Sequence, residues 1–136
     1  MAMKDVPVTK NPNIAYKIET KSNWELALQF GKYEGSALDK NDGFMHLSAG
    51  PQLAKTFELH FVGQLNLIVA AIDLRQLGDA VTWEESRGGE LFPHIYGDLP
   101  ASAVIETMDV LYGADGTGSL PGAIRRHEIL EHFPTD

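Results

Sequence analysis

The segment LNLIVAAIDL, Leu65 to Leu74, constrains the fold more than any other stretch of this 136-residue chain. It is a near-continuous apolar run of strand length, as expected for a central strand covered on both faces. Asn66 and Asp73 interrupt it, and the run is too short to span a bilayer as a helix. A chain of this length forms one domain with a sizeable core, so the remaining elements must be built around this strand.

Those elements are short. Ile14 to Ile18 reads as a first strand, and SNWE (Ser22 to Glu25) reads as a capping box that opens a short helix ending at Gly31. Tyr33 to Asp42 reads as loop, closed by an Asp42-Gly43 turn. Phe44 to Leu47 is a brief strand. Ser48, Gly50 and Pro51 make a helix entrance, and Leu53, Phe57 and Phe61 form one face of the helix that follows. Leu77-Gly78-Asp79 turns the chain into a strand at Ala80 to Glu84. Ala103 to Leu111 is a further strand, with helix as the competing reading, and Tyr112 to Gly122 is a glycine-rich surface loop. Arg125 to Phe133 reads as a terminal helix, with Ile124, Ile129, Leu130 and Phe133 facing inward. Residues 1–13 are expected to form a loose tail and 14–136 a single domain. Short strands in this order indicate an α+β fold rather than a doubly wound sheet.

Composition narrows the function classes. The chain has 11 Lys and Arg against 19 Asp and Glu, a net charge of −8, and no cysteine. Extended nucleic-acid binding is disfavoured because it draws on a basic stripe, although a local pocket could hold one or two phosphates. Disulfides, thiolate nucleophiles and cysteine-ligated zinc are removed. The N-terminal MAMKDVPVTKNPN lacks the apolar segment of a signal peptide, and a cytoplasmic location is expected.

The familiar catalytic motifs do not fit. Gly116-x-Gly118 is followed by Pro121 where a dinucleotide fingerprint needs glycine. HEILEH, His127 to His132, spaces its histidines about 140° apart at roughly 100° per helical residue, so they do not share a metal on one face. Neither a phosphate-binding lysine loop nor a G-x-S-x-G elbow is present. His46 in FMHLS and His94 in FPHIY lie in short apolar contexts at strand-to-loop junctions. Each is either a hydrogen-bonded core residue or a ring that meets ligand in a shared cleft. A metal site of His46, His94 and Glu84 or Glu85 is a weaker alternative that no spacing supports.

The stretch WEESRGGELFPHIYGDLP, Trp83 to Pro100, concentrates functional groups beyond what a connection requires. Gly88-Gly89 permits close backbone approach, Arg87 offers a fork for phosphate or carboxylate, and Tyr96 offers a ring face and a hydroxyl. In the competing reading Arg87 pairs with Glu84 or Glu85 and His94 only packs. The site-lip reading is the one carried forward.

Tyr16-Lys17-Ile18, Trp24, Gly31-x-Tyr33-x-Gly35-Ser36, Asp42-Gly43-Phe44-Met45-His46-Leu47-Ser48, Gln52, Thr56, Trp83-Glu84, Arg87-Gly88-Gly89 and Phe92-Pro93-His94-Ile95-Tyr96-Gly97 form an ordered set. This set resembles the small bacterial domain-of-unknown-function family nine-five-two, over about Ile14 to Leu111. More remotely, that family resembles the ADP-ribosyltransferase-like fold, which includes diphtheria-type toxins and RNA 2′-phosphotransferases. The resemblance implies two small, mostly antiparallel sheets around an NAD cleft with flanking helices. It implies that Lys17 stands where that fold places a histidine or arginine, and that His46 stands at the second motif. Trp83-Glu84 or His94 would complete the site.

Two functions are weighed, the first of them implied by that resemblance. One is transfer of a group from NAD or a related nucleotide, with His46 and Glu84 as catalytic candidates. Here Lys17 and Arg87 meet the pyrophosphate, His46 and Tyr96 frame the nicotinamide or ribose, and Ser48 hydrogen-bonds beside His46. Trp83 and His94 are further ligand-binding candidates. NAD is the expected substrate, and no metal or membrane is expected. The other is a non-catalytic module whose cleft binds a small molecule or anion. A metal-dependent hydrolase is the weakest reading.

Overall fold

The structure is a computed structural model and describes residues 11–122 and residue 124. The expected terminal helix and the HEILEH histidines lie outside the described residues, as does most of the expected N-terminal tail.

The apolar run forms strand β5 (Leu67–Asp73), and every residue from Leu67 to Ile72 is buried. The expectation of a strand covered on both faces is met, and the pleat explains how. Ile68, Ala70 and Ile72 point into one core with Trp24, Tyr33, Met45, Leu47 and Ile95. Leu67, Val69 and Ala71 point into a second core with Tyr16, Ile18, Leu53 and Met108. Asn66 takes the left-handed backbone conformation (φ 59°), which trims the strand at its start.

The elements before β5 are β1 (Ile14–Thr20), α1 (Lys21–Gln29), β2 (Lys32–Tyr33), α2 (Ala37–Asp42), β3 (Met45–His46), β4 (Ser48–Ala49) and α3 (Gly50–His60). Those after it are β6 (Val81–Glu85), β7 (Leu91–Ile95), β8 (Leu99–Pro100), β9 (Val104–Asp109), β10 (Leu111–Tyr112) and β11 (Gly118–Ser119), with four 3₁₀ turns between them. The fold is α+β. Its principal sheets are antiparallel, one of four strands in the order β9-β5-β1-β4 and one of three in the order β3-β7-β6. The expected two sheets are joined by two further ladders, β2 with β8 and β10 with β11.

Several local expectations are corrected. Helix α1 starts at Lys21, capped by Thr20, whose Oγ1 accepts from the Asn23 amide at 3.3 Å. Pairing of β1 with β5 persists to Thr20, so the chain enters the helix before the Ser22 box can act as its cap. The expected loop at Tyr33 to Asp42 holds strand residues and helix α2. The Ser36 hydroxyl accepts from the Asp39 amide at 3.1 Å, and the Asp39 carboxylate accepts from the Ser36 amide at 2.9 Å. This reciprocal capping box carries a helix that has almost no apolar periodicity, its one leucine, Leu38, being exposed. Gly43 ends it in the left-handed conformation (φ 87°).

The expected strand Phe44 to Leu47 is shortened to Met45–His46, and the expected helix entrance at Ser48 begins with a second short strand. Met45–His46 joins the three-stranded sheet, and Ser48–Ala49 forms an edge of the four-stranded one. The change of sheet occurs at buried Leu47, whose amide donates to the Pro93 carbonyl at 3.1 Å. The glycine-rich segment is a short hairpin rather than a loop without pairing. Gly118 is needed there, because a Cβ would lie 2.9 Å from Phe57 Cζ and 3.1 Å from Tyr112 Cε1. Among the described residues, no helix is long and apolar enough to cross a membrane.

Candidate functional site

The pleat and register of the three-stranded sheet set the site. His46 pairs with His94, and His94 pairs with Thr82; two residues along, Glu84 pairs with Phe92. Alternation then sends Met45, Ile95, Val81 and Trp83 to the core, and His46, His94, Phe92 and Glu84 to the opposite face. Phe44 and Tyr96 flank the strand ends on that same face. The Phe44 ring lies 4.7 Å from His46, 4.3 Å from His94 and 5.4 Å from Tyr96, and the two imidazoles are 5.5 Å apart. The result is an aromatic platform with a histidine on each of two neighbouring strands.

Each histidine is held by carboxylates. His94 is buried, and its Nδ1 lies 2.7 Å from Glu84 Oε1. Tyr96 donates its hydroxyl to the same carboxylate, at 2.8 and 3.0 Å from its two oxygens. The bond from His94, with the smaller contribution of Tyr96, holds the Glu84 carboxyl below its usual range, and the Tyr96 hydroxyl is raised in return. A carboxylate facing Nδ1 fixes the tautomer: Nδ1 carries the proton, and Nε2 of a neutral ring is a lone-pair acceptor. Among the described residues nothing hydrogen-bonds that nitrogen.

His46 is clamped from both sides. Asp39 Oδ1 lies 2.6 Å from Nδ1 and accepts from the His46 amide at 3.1 Å, and Asp42 Oδ2 lies 3.0 Å from Nε2. Each nitrogen of the ring thus has a carboxylate oxygen within hydrogen-bond reach. The clamp is the work of α2, whose capping aspartate Asp39 points inward while its last residue, Asp42, reaches the far side of the ring. Beneath it, Lys17 of β1 meets Asp39 Oδ2 at 2.7 Å and donates to the His46 carbonyl at 2.9 Å. Burial would raise the Asp39 carboxyl, but Lys17, His46 and the Ser36 amide outweigh it and hold it at about 2. Burial pushes the Lys17 ammonium down, with Asp39 opposing. Beside this pair, Tyr33 donates its hydroxyl to buried Glu19, and its own ionisation is pushed far up by burial and by that carboxylate.

The sequence-predicted residues therefore divide. His46, His94, Glu84 and Tyr96 come together on one face. Lys17 lies behind His46, 6% exposed and engaged by Asp39. Trp83 packs against the first core on the reverse side of the sheet. Ser48 is buried and shares a hydrogen bond of 2.9 Å with Thr56 of α3. Arg87, in the turn between β6 and β7, donates to Thr56 Oγ1 at 3.1 Å and lies 4.9 Å over the Phe92 ring, rather than pairing with Glu84 or Glu85. Asp39, Asp42 and Phe44 belong to the site and were not singled out from sequence. A signal for Asp39 existed in Ser36-x-x-Asp39, and Asp42 and Phe44 adjoin the histidine in DGFMH.

The carboxylates meet the histidines at different nitrogens and do not converge on one point. Among the described residues, no group of three or more His, Asp or Glu side chains is arranged to hold a metal ion. The site defines a class: an α+β domain that displays two carboxylate-anchored histidines on an aromatic sheet face.

The family profile described as "Protein of unknown function (DUF952)" matches residues 18–107, and the chain belongs to that family. The crystal structure of protein CC0527 from Caulobacter crescentus is 42% identical with a TM-score of 0.77, covering 82% of this chain and 98% of that one. The solution NMR structure of the same protein is 41% identical with a TM-score of 0.69, covering 84% and 96%. No curated protein matches.

Proposed function

We propose that this protein is an ADP-ribosyltransferase-like enzyme that binds NAD or a related nucleotide on the histidine face of the three-stranded sheet. The observation that carries the reading is His94, a buried imidazole anchored at Nδ1 by Glu84, with Phe44 and His46 against it. Such a ring can accept a proton at Nε2 while its partner carboxylate balances the charge that appears. The surrounding rings suit a planar ligand such as nicotinamide.

In the reaction this implies, the bond between ribose C1′ and the nicotinamide nitrogen breaks, and its electron pair leaves with nicotinamide. A lone pair on the acceptor forms the new bond to C1′. The acceptor's proton passes to His94 Nε2. Glu84 acts through His94 as a positioning residue, and His46, held by Asp39 and Asp42, serves as a fixed wall of the site. Lys17 supports that wall from behind.

The test is release of nicotinamide from NAD by the wild-type protein and by His94→Gln, with ligand binding followed in parallel. Release that is lost in the variant while the fold persists supports the reading.

A second reading, a non-catalytic binding module, is favoured by one observation. Each carboxylate around the two rings, Glu84, Asp39 and Asp42, is already committed to a histidine. None stands open to stabilise a ribosyl cation directly. Nucleotide binding without nicotinamide release from NAD selects this reading.

A further inference from the structure

Arg87 is a cation held in place without an ion pair among the described residues. Its Nη1 donates to Thr56 Oγ1 at 3.1 Å, its Nη2 approaches the Gln52 carbonyl at 3.5 Å, and its guanidinium lies 4.9 Å over the Phe92 ring. Two contacts leave three of the five N–H donors of a guanidinium uncommitted. Of the carboxylates near it in sequence, Glu84 is held by His94 and Tyr96 and Glu90 by the Gln52 side-chain amide at 3.3 Å, and Arg87 makes no ion pair with Glu85. A surface strut in a chain of net charge −8 has many acidic partners to choose from, yet this arginine is braced on a hydroxyl, a carbonyl and a ring.

The placement is informative. Phe92 and His94 lie two residues apart on one strand and project to the same face, a separation of about 7 Å. The turn that carries Arg87 continues through Gly88 and Gly89, both with positive φ (66° and 79°) and with open space where a Cβ would stand. Backbone there can be approached closely.

We infer that Arg87 is a phosphate subsite, recognising a phosphate group or phosphate ester whose remaining body extends toward His94. Thr56, Gln52 and Phe92 pre-orient the guanidinium, and the uncommitted fork meets the anion. This deepens the nucleotide reading and rests on it for the identity of the rest of the ligand.

The experiment is a titration of the ¹⁵N-labelled protein with inorganic phosphate and pyrophosphate in a chloride-balanced, phosphate-free buffer, read by two-dimensional NMR. Saturable shifts at the amides of Arg87, Gly88 and Gly89 and at Arg87 Nε are expected. Arg87→Gln should weaken the response at least tenfold, Arg87→Lys should keep part of it, and Thr56→Val should weaken it severalfold. No saturable response in wild type overturns the inference. So does an undiminished response in Arg87→Gln, or an equal response to acetate. Phosphate binding without any response to ADP-ribose or NAD leaves the subsite standing and removes the nucleotide reading. Nucleotide binding that Arg87→Gln does not weaken removes the subsite and leaves that reading intact.

Discussion

Lys17 and Asp39 meet at 2.7 Å with their side chains 7% and 3% exposed, and the same aspartate holds His46 by both its ring Nδ1 and its backbone amide. A strand residue, a helix cap and a site histidine are thereby tied at one buried point. The two partners are not equivalent. Lys17 donates to Asp39 and one carbonyl, whereas Asp39 receives Lys17, the Ser36 amide and both His46 groups.

Asp39→Leu is accordingly predicted to destabilise more than Lys17→Met. Removing the aspartate leaves a buried ammonium and three donors without their acceptor, a loss of about 3–5 kcal/mol. Lys17→Met leaves a buried carboxylate that keeps its N–H donors. Urea unfolding of both variants checks the order, and equal losses would contradict the asymmetry.

Acid should expose the same pair. The Asp39 carboxyl titrates at about 2 in the folded protein, below the ordinary 3.8. A depressed carboxyl contributes stability that is fully present above its unfolded pKa and is lost as pH falls through the folded one. A fall in stability between about pH 4 and pH 2 is therefore expected, and it should be smaller in Asp39→Asn. Lys17, lowered by burial, changes stability with pH only in the alkaline window below 10.5, where stability rises with pH, so it takes no part in the acid transition. Urea midpoints measured across pH 2 to 5 test this.

Ser36→Ala removes the hydroxyl cap of α2 and should cost about 1 kcal/mol. Because α2 carries both clamps of His46, the His46 ring resonances should broaden or shift more than those of His94. Equal effects on the two rings would mean that α2 does not position His46.

How far sequence could anticipate this site follows from the physics of each element. The central strand was legible because a two-sided strand needs an unbroken apolar run, and Leu67 to Ile72 supplies one. His46 and His94 could be singled out because polar groups set in apolar contexts are conspicuous, and Glu84 and Tyr96 because Trp83 to Pro100 concentrates functional groups. Their meeting on one face was not legible, since it depends on the register of β3 and β6 on β7. Helix α2 escaped notice because it rests on a cap instead of an apolar stripe. Trp83 and Glu84 are neighbours in sequence with opposite destinations, core and site. Only the pleat decides which is which.

The central claim is that the His94 face binds a nucleotide. Isothermal titration of ADP-ribose into wild-type protein and into a folded His94→Gln variant tests it most directly. The account predicts saturable binding to wild type, weakened at least tenfold in the variant. A thermal-shift check should show the wild type gaining about 2.7 kcal/mol at a hundredfold excess over its Kd. Absence of binding to wild type, or equal binding by both proteins, would contradict it.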